Sequence, residues 1–321
     1  MTLIIREAEV RQLLTMPDAI DALDTAFAEL GRGNAQNSSR QRIVLPQPPA
    51  VLHMLAGAVP GLDALGFKAY SGAAGTVRFS VNLYRASTGE LLSIMEADWL
   101  GRMRTGAASG LATRYLARED AVSLGVLGSG GQAETQIMAI AAVRPLQRIR
   151  VFSRNQERLQ QFCTDLGSRL GLTLEPVASA EAAVRGADIL VTATVAREPV
   201  VLGEWLRLGV HINAMGSNWA NRREIDTATV TAATHIFADS IEQAKLEAGD
   251  LVIPVNEGKL AWSRVQELSA LIAGTVTGRT APEDITLFNS LGIGLEDVAV
   301  AMRIYTLARE RGIGQEVALF A

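Results

Sequence analysis

The stretch that most limits what this chain can become is "GVLGSGGQAETQ", residues 125–136. The apolar run "AVSLGVLG" leading into it has strand character, and "GQAETQIMAIAAV" leading out has helical spacing. Within it, Gly128-Ser129-Gly130-Gly131-Gln132-Ala133 follows the pattern G-x-G-x-x-A. The first glycine of such a loop permits a tight turn, the second lets backbone approach a pyrophosphate, and the small final residue lets helix pack on strand. N–H groups at the helix start then face the phosphates, where the helix dipole also favours negative charge. A turn that merely tolerates glycine is the plain alternative. Against it, a second strand "RIRVFS" and a second helix "NQERLQQFCTDLGSRLG" follow where a dinucleotide fold requires them.

The alternation continues through "LEPVAS", the helix "AEAAVRGA" and the strands "DILVTAT", "VHINAMG" and "HIFADS". This predicts an α/β fold with a Rossmann-type doubly wound parallel sheet over residues 121–294. Before residue 121 the texture changes. "VNLYRASTGELLSIMEA" reads as a hairpin turning at Ser87–Gly89, and "GAASGLATRYLA" as a small-residue helix suited to close packing. The last helix, from Glu296 to about Arg311, follows the turn "SLGIG" and is expected to pack back on the first domain. The second domain is therefore predicted to be α+β, built from residues 1–120 and 295–321.

The end of the second strand selects between nicotinamide cofactors. An acidic residue there would hold a ribose 2′-OH, but the chain reads Ser153-Arg154-Asn155. A guanidinium flanked by a hydroxyl and an amide suits a 2′-phosphate, so NADP is expected. NAD stays open, because Arg154 can equally stack on adenine or face water.

With 321 residues, 48% of them hydrophobic, the chain can build two modest cores. Its net charge of −4, with both signs interspersed, leaves no footprint for nucleic acid or an anionic membrane, so small molecules are the expected partners. No apolar run reaches membrane-spanning length, and "MTLIIREAEVRQLL" lacks a secretory h-region; a soluble cytoplasmic protein is expected. Cys163, the sole cysteine, falls in a helical pattern where a buried apolar role is the default. His53, His211 and His235 are widely spaced without ligand partners, so no metal site is expected.

Several segments together resemble the ornithine cyclodeaminase/mu-crystallin family: "RQRIVLP", "LGFKAYSG", "LYRASTGELLSIMEA", "RTGAASGLATRYLA", "LGVLGSGGQAE", "GVHINAMGSN" followed by "RREID", and "SLGIGLEDVAVA". They run in family order from about residue 40 to residue 305, and the combination is far more specific than the glycine loop. The resemblance implies a homodimer, a substrate site in the cleft facing the N-terminal domain, and a substrate-binding and dimerisation role for that domain. It implies that Arg42, Lys68 and Arg104 bind a substrate carboxylate, that Lys68 also handles protons, and that Thr105, Ser217, Leu291 and Gly292 line the cofactor. A bidentate arginine is the side chain best shaped for a carboxylate, although most arginines are solvated surface residues. A lysine in the apolar strand-like segment "GFKAY" is either snorkelling or functional.

Three further residues stay open. His53 reads as a histidine in a loop or strand end near this pocket; Arg78 could reach a second carboxylate, on a face the sequence leaves undetermined; Trp219 is as readily packing as pocket wall. The family's cyclodeaminases carry an aspartate base after "NAxG", where this chain has Asn218. An amide can position water or a substrate nitrogen but cannot accept a proton. Glu224 and Asp226 read as the start or cap of a helix. The resemblance thus implies an NAD(P)H-dependent imino-acid reductase, delivering hydride to the C=N of an α-imino acid or ketimine, with Lys68 or a water ordered by Asn218 as proton source. The alternatives are an ornithine cyclodeaminase-type enzyme and a mu-crystallin-like small-molecule-binding protein.

Overall fold

The structure, a computed structural model, describes residues 1–73 and 75–319. The chain forms two compact units, Met1–Ala107 with Gly292–Ala321, and Ala108–Leu291. Phe320 and Ala321, the end of the expected range 295–321, lie outside the described residues.

Unit 1 begins with β1 (Thr2–Ile5), α1 (Glu7–Leu13) and α2 (Met16–Gly31). The Thr15 hydroxyl caps α2 by accepting from the Asp18 N–H, and Ile20, Leu23 and Phe27 form its buried stripe. There follow β2 (Gln36–Asn37), β3 (Gln41–Leu45), β4 (Ala50–Val59), β5 (Ala64–Ala73), β6 (Thr76–Arg85), β7 (Leu91–Glu96) and α3 (Asp98–Leu116). The β6–β7 connection is the hairpin expected around Ser87–Gly89, with Gly89 at φ 75°. Register places His53 between Arg42 and Tyr70, Tyr70 opposite Phe79, and Lys68 between Leu55 and Val81. Side chains alternate along a strand, so Arg42, His53, Lys68 and Tyr70 share one face of this sheet. Arg78 pairs with Ser71 and stands exposed on the opposite face.

The division between the units falls inside α3, not at residue 121, because this helix runs unbroken to Leu116. Its last turns are tied within unit 2: the Asn213 amide donates to Thr113 Oγ1 at 3.1 Å, and Arg279 Nε donates to the Leu116 carbonyl at 2.8 Å.

Unit 2 alternates β8 (Ser123–Leu127), α4 (Gly131–Val143), β9 (Arg148–Phe152), α5 (Gln156–Leu170), β10 (Leu174–Pro176), α6 (Ala180–Val184), β11 (Ile189–Thr192) and β12 (His211–Ala214). It goes on with α7 (Thr227–Ala232), β13 (His235–Ala238), α8 (Ile241–Glu247), α9 (Gly249–Asn256), β14 (Val265–Glu267), α10 (Leu268–Ile272) and β15 (Thr286–Asn289). All eight strands are parallel, in the order β10-β9-β8-β11-β12-β15-β13-β14. Strand order reverses at β8, between β9 and β11, the point where such sheets open a crevice at their carboxyl ends. Ala133, Ile137, Leu159 and Cys163 lie in the core on one side of the sheet. Burial pushes the Cys163 thiol up to about 11, so it stays an unreactive thiol.

The chain re-enters unit 1 with α11 (Gly294–Arg311) and β16 (Gln315–Val317), the latter pairing with β1. α11 meets β4 backbone to backbone. A Cβ on Gly57 would lie 2.5 Å from the Leu295 nitrogen, and one on Gly294 would lie 2.5 Å from the Ala56 carbonyl carbon. The Leu295 N–H is also held by Asn37 Oδ1 at 3.1 Å. Because this contact seats the first turn of α11 on the sheet, Gly57→Val is expected to destabilise unit 1 by about 1–3 kcal/mol or more, as overpacking does. A lowered midpoint of thermal unfolding checks this; an unchanged midpoint would mean that the helix yields at no cost.

Candidate active site

The glycine loop opens on a cavity of about 800 Å³ at the carboxyl ends of β8, β9 and β11. Gly128 sits at φ 117°, and a side chain there would strike the Ala193 carbonyl. Gly130, the residue preceding α4, has nothing within 4 Å of where a Cβ would stand, so its backbone lies open to the cavity. Gly131 and Gln132 begin the helix, and Ala133 is fully buried against the sheet. This is the cradle a pyrophosphate needs: bare backbone, a helix start, and a side chain small enough for close packing. Ser129, Ser153, Arg154 and Asn155 line the same cavity. Asn155 has a second task, since its Oδ1 caps α5 by accepting from the Arg158 N–H at 2.9 Å. Arg158, which the sequence reading passed over, lines the cavity as well, as do Arg197 and the acid Glu198.

The loop after β12 is held from beneath by Glu224. This fully buried carboxylate accepts from Thr192 Oγ1 at 2.7 Å, the Thr194 N–H at 2.7 Å, Thr194 Oγ1 at 2.6 Å and the Gly216 N–H at 2.6 Å. It therefore ties the ends of two adjacent parallel strands together, and burial raises its pKa. Asp250 in turn accepts from the Glu224 and Ile225 N–H groups at 2.7 and 3.1 Å, and burial beside Glu224 pushes its carboxyl up to about 7. Asp226 caps α7, as its position suggested, but Glu224 is an internal strut and no part of a helix start. Ser217 is buried and donates to the Arg222 carbonyl at 3.2 Å; Asn218 is half-buried in this loop, and Trp219 is exposed beneath the Arg222 guanidinium, 5.5 Å from its ring centre. The Leu291 N–H donates to Asp239 Oδ2 at 2.7 Å.

Unit 1 gathers two of the three expected cations, Lys68 and Arg104, at the start of α11, while Arg42 stands on β3 against His53. Lys68 Nζ donates to Asp297 Oδ1 at 2.8 Å, and the same oxygen accepts from Arg104 Nε at 2.9 Å. Arg104 Nη1 donates to Glu296 Oε2 at 2.7 Å. All four side chains are buried. Burial and the Arg104 charge bring Lys68 down to about 8, although Asp297 holds it up. Gly292, at φ 75°, leaves the room that Arg104 occupies: a Cβ there would run into the guanidinium. Its carbonyl accepts from Arg40 Nη2 at 3.1 Å, and Arg40 Nη1 donates to the Tyr70 hydroxyl at 2.9 Å. Arg42 Nε donates to Nδ1 of His53 at 3.3 Å, and that ring stacks on Tyr70 with centroids 4.3 Å apart. His53 thus sits in mid-strand, not in a loop; burial and the Arg42 and Arg40 charges lower its pKa to about 4, keeping it neutral. Thr105 Oγ1 donates to the Gly101 carbonyl at 2.8 Å.

Glu296, Asp297, Arg40 and Tyr70 are neighbours of these candidate residues that sequence reasoning missed. "GLEDVAVA" did contain a signal. Two acids inside a run of apolar residues must be paired if that run is buried on all sides.

A bare glycine cradle at the switch point of a parallel sheet and a buried set of carboxylate-binding cations define a dinucleotide-dependent class of protein. The sequence profile of the ornithine cyclodeaminase/mu-crystallin family matches residues 1–312, and the chain belongs to that family. The Delta(1)-pyrroline-2-carboxylate reductase of Bacillus cereus is 33% identical over 98% of this chain and 99% of its own. Among solved structures, Thermococcus litoralis Delta(1)-pyrroline-2-carboxylate reductase, in complex with NADH and L-proline, matches with a TM-score of 0.94 and 35% identity over 98% of this chain and 100% of that one. An archaeal alanine dehydrogenase dimer with bound NAD matches with a TM-score of 0.92 and 31% identity over 99% of both chains.

The raised carboxyl of Asp250 makes stability depend on pH. A folded-state pKa of about 7, against an ordinary 3.8, means that the folded chain holds a proton the unfolded chain has released. The contribution is complete below 3.8 and is lost as pH rises through about 7. Asp250→Asn retains an acceptor for both N–H groups and cannot ionise. Denaturant unfolding at a series of pH values between 4 and 8 is expected to show a flatter stability profile than the parent; the same slope in both proteins would assign the dependence to other groups.

Proposed function

We propose that this chain is an NAD(P)H-dependent imino-acid reductase, an oxidoreductase that works on the C=N bond of an α-imino acid or ketimine. One observation carries the reading: an ammonium and a guanidinium are buried side by side on a single carboxylate oxygen, in a chain that also builds a dinucleotide cradle. Arg104, with Arg42, holds the substrate carboxylate, since a guanidinium offers paired donors to two oxygens. Lys68 stands for the proton: with its pKa near 8 it is charged at neutral pH yet releases its proton readily to an imine nitrogen. A bound nicotinamide supplies the hydride to the imine carbon. Asn218 orients water or the substrate nitrogen and accepts no proton. Thr105, Ser217, Leu291 and Gly292 are assigned to the nicotinamide side, Gly292 doubling as the gap that admits Arg104.

NADP is the proposed cofactor, resting on Ser153, Arg154 and Asn155 and now on Arg158 beside them. The active particle is proposed to be a homodimer in the cytoplasm. Val44 of β3 and Val77 of β6, which the register puts on one sheet face, are exposed apolar side chains that a second copy would cover; light scattering at assay concentration tests for two chains per particle.

The direct test is oxidation of NADH and NADPH against 2-oxo acids with ammonia or methylamine, cyclic ketimines and iminodicarboxylates. At least one imine is expected to be consumed with one reduced cofactor per molecule; none consumed would favour a binding protein. A second incubation separates the cyclodeaminase alternative. Asn218 stands where that chemistry needs a base, Glu224 is committed to four donors, and Asp226 caps a helix. Ornithine with substoichiometric NAD(P)⁺ is therefore expected to give no proline; many turnovers per cofactor would overturn the reductase reading.

Arg154→Asp exchanges the proposed phosphate-binding cation for a ribose-binding acid. It is expected to move the preference from NADPH toward NADH by about tenfold or more. If the parent already works better with NADH, the assignment of these residues is wrong.

A further inference from the structure

We propose that Asp297 is a positioning residue of the reductase site: by accepting from Lys68 and Arg104 through one oxygen, it sets the spacing of two cations that must meet a carboxylate and the neighbouring imine nitrogen of the same substrate. The inference rests on the reductase reading for its kinetic consequences but on geometry for its cause. Lys68 lies on β5 and Arg104 on α3, elements that the β6–β7 hairpin separates in sequence. Neither reaches the other by hydrogen bonding, since both are donors. Asp297 Oδ1 is the shared point, 2.8 Å from one and 2.9 Å from the other. Glu296 then fixes the rotation of the guanidinium by taking Nη1 while Asp297 takes Nε. An α-imino acid presents its carboxylate and its nitrogen on the same carbon, so a clamp for it needs two donors at a set separation.

The groups facing Lys68 come from every element around it. Arg104 stands on α3, Glu296 and Asp297 on α11, Arg40 just before β3, and His53 and Tyr70 on the same sheet face. Arg104 and Arg40 lower its proton affinity, Asp297 raises it, and His53 is neutral. Removing the Asp297 charge therefore lowers the Lys68 pKa further. If the ammonium is the working form, activity falls as pH rises through that value, and the fall moves to lower pH in the variant.

The chain has only three lysines, Lys68, Lys245 and Lys259, so Lys68 can be followed directly by NMR of lysine-labelled protein, with Lys68→Met for assignment. In Asp297→Asn its titration midpoint is expected below the parent's. kcat/KM for the consumed imine is expected to fall about a hundredfold, with the alkaline limb displaced to lower pH and the dinucleotide Kd unchanged. Asp297→Glu, which keeps the charge but lengthens the arm, is expected to restore the limb while kcat/KM stays about tenfold low. An unshifted Lys68 midpoint and an unmoved limb in Asp297→Asn would overturn the proposal. Should that variant fail to fold, parental kcat/KM in Asp297→Glu would overturn it instead. A parent that reduces no imine defeats the reductase reading alone, because the Lys68 titration still reports whether Asp297 governs the ammonium.

Discussion

Two cations and two carboxylates share the interior of unit 1, and most of what surrounds them is arranged so that they can. Each buried ion costs several kcal/mol in lost hydration, and a pair recovers this only when its geometry is good and its remaining polar atoms are satisfied. Here one Asp297 oxygen serves both Lys68 and Arg104, and Glu296 serves Arg104 a second time, while among the described residues nothing donates to Asp297 Oδ2. Those contacts depend on where α11 begins. Its first turn lies against β4 through Gly57 and Gly294, at a separation no side chain allows, and Gly292 is bare where the guanidinium passes. The glycines of "SLGIG" are thus a packing requirement of the charge cluster as much as a turn.

Unit 2 solves a related problem with a single carboxylate. Parallel strands end with unpaired backbone groups, and the ends of β11 and β12 must present their loops in one conformation. Glu224 collects donors from both, and a Cβ on Gly216 would collide with its carboxylate. Asp250 then takes the N–H groups of Glu224 and Ile225. The loop that carries Ser217 and Asn218 rests on this buried pair, so its shape is a matter of hydrogen bonding among interior groups.

The nucleotide-binding unit was largely legible, because its signals are local. Strand, glycine loop and helix follow one another within 25 residues, and β8 to β13 match the alternating pattern. β15 was not, since "TLFN" is four buried residues with no period to read, and it enters the sheet between two strands that precede it in sequence. In unit 1 the Ser87–Gly89 hairpin was visible from turn chemistry. The pairing of β1 with β7 and β16 joins residues some 90 and 310 positions apart, which no window detects. For the site, the cations Arg42, Lys68 and Arg104 came from motif resemblance, while their partners did not. Glu296 and Asp297 look like ordinary acids at a helix start, favoured there by the dipole. Their inward direction comes from tertiary packing. Arg40 was passed over because it stands two residues from Arg42 in a run whose register was not yet known.

The charge balance of the cluster bears on how a substrate is held. Lys68 and Arg104 are matched by Glu296 and Asp297, and Arg40 and Arg42 add positive charge beside them. In the proposed site a carboxylate would be held by that charge and by direction: donors fixed at the right angle and separation. The proposed clamp would recognise the carboxylate and nitrogen common to every α-imino acid and would say little about the rest of the molecule. That accounts in physical terms for relatives of one fold bearing different substrate names. On the sheet face that carries Lys68, a neutral His53 stacked on Tyr70 presents an aromatic plank and not a charge. Between about pH 4 and about pH 8, His53 is neutral and Lys68 is charged.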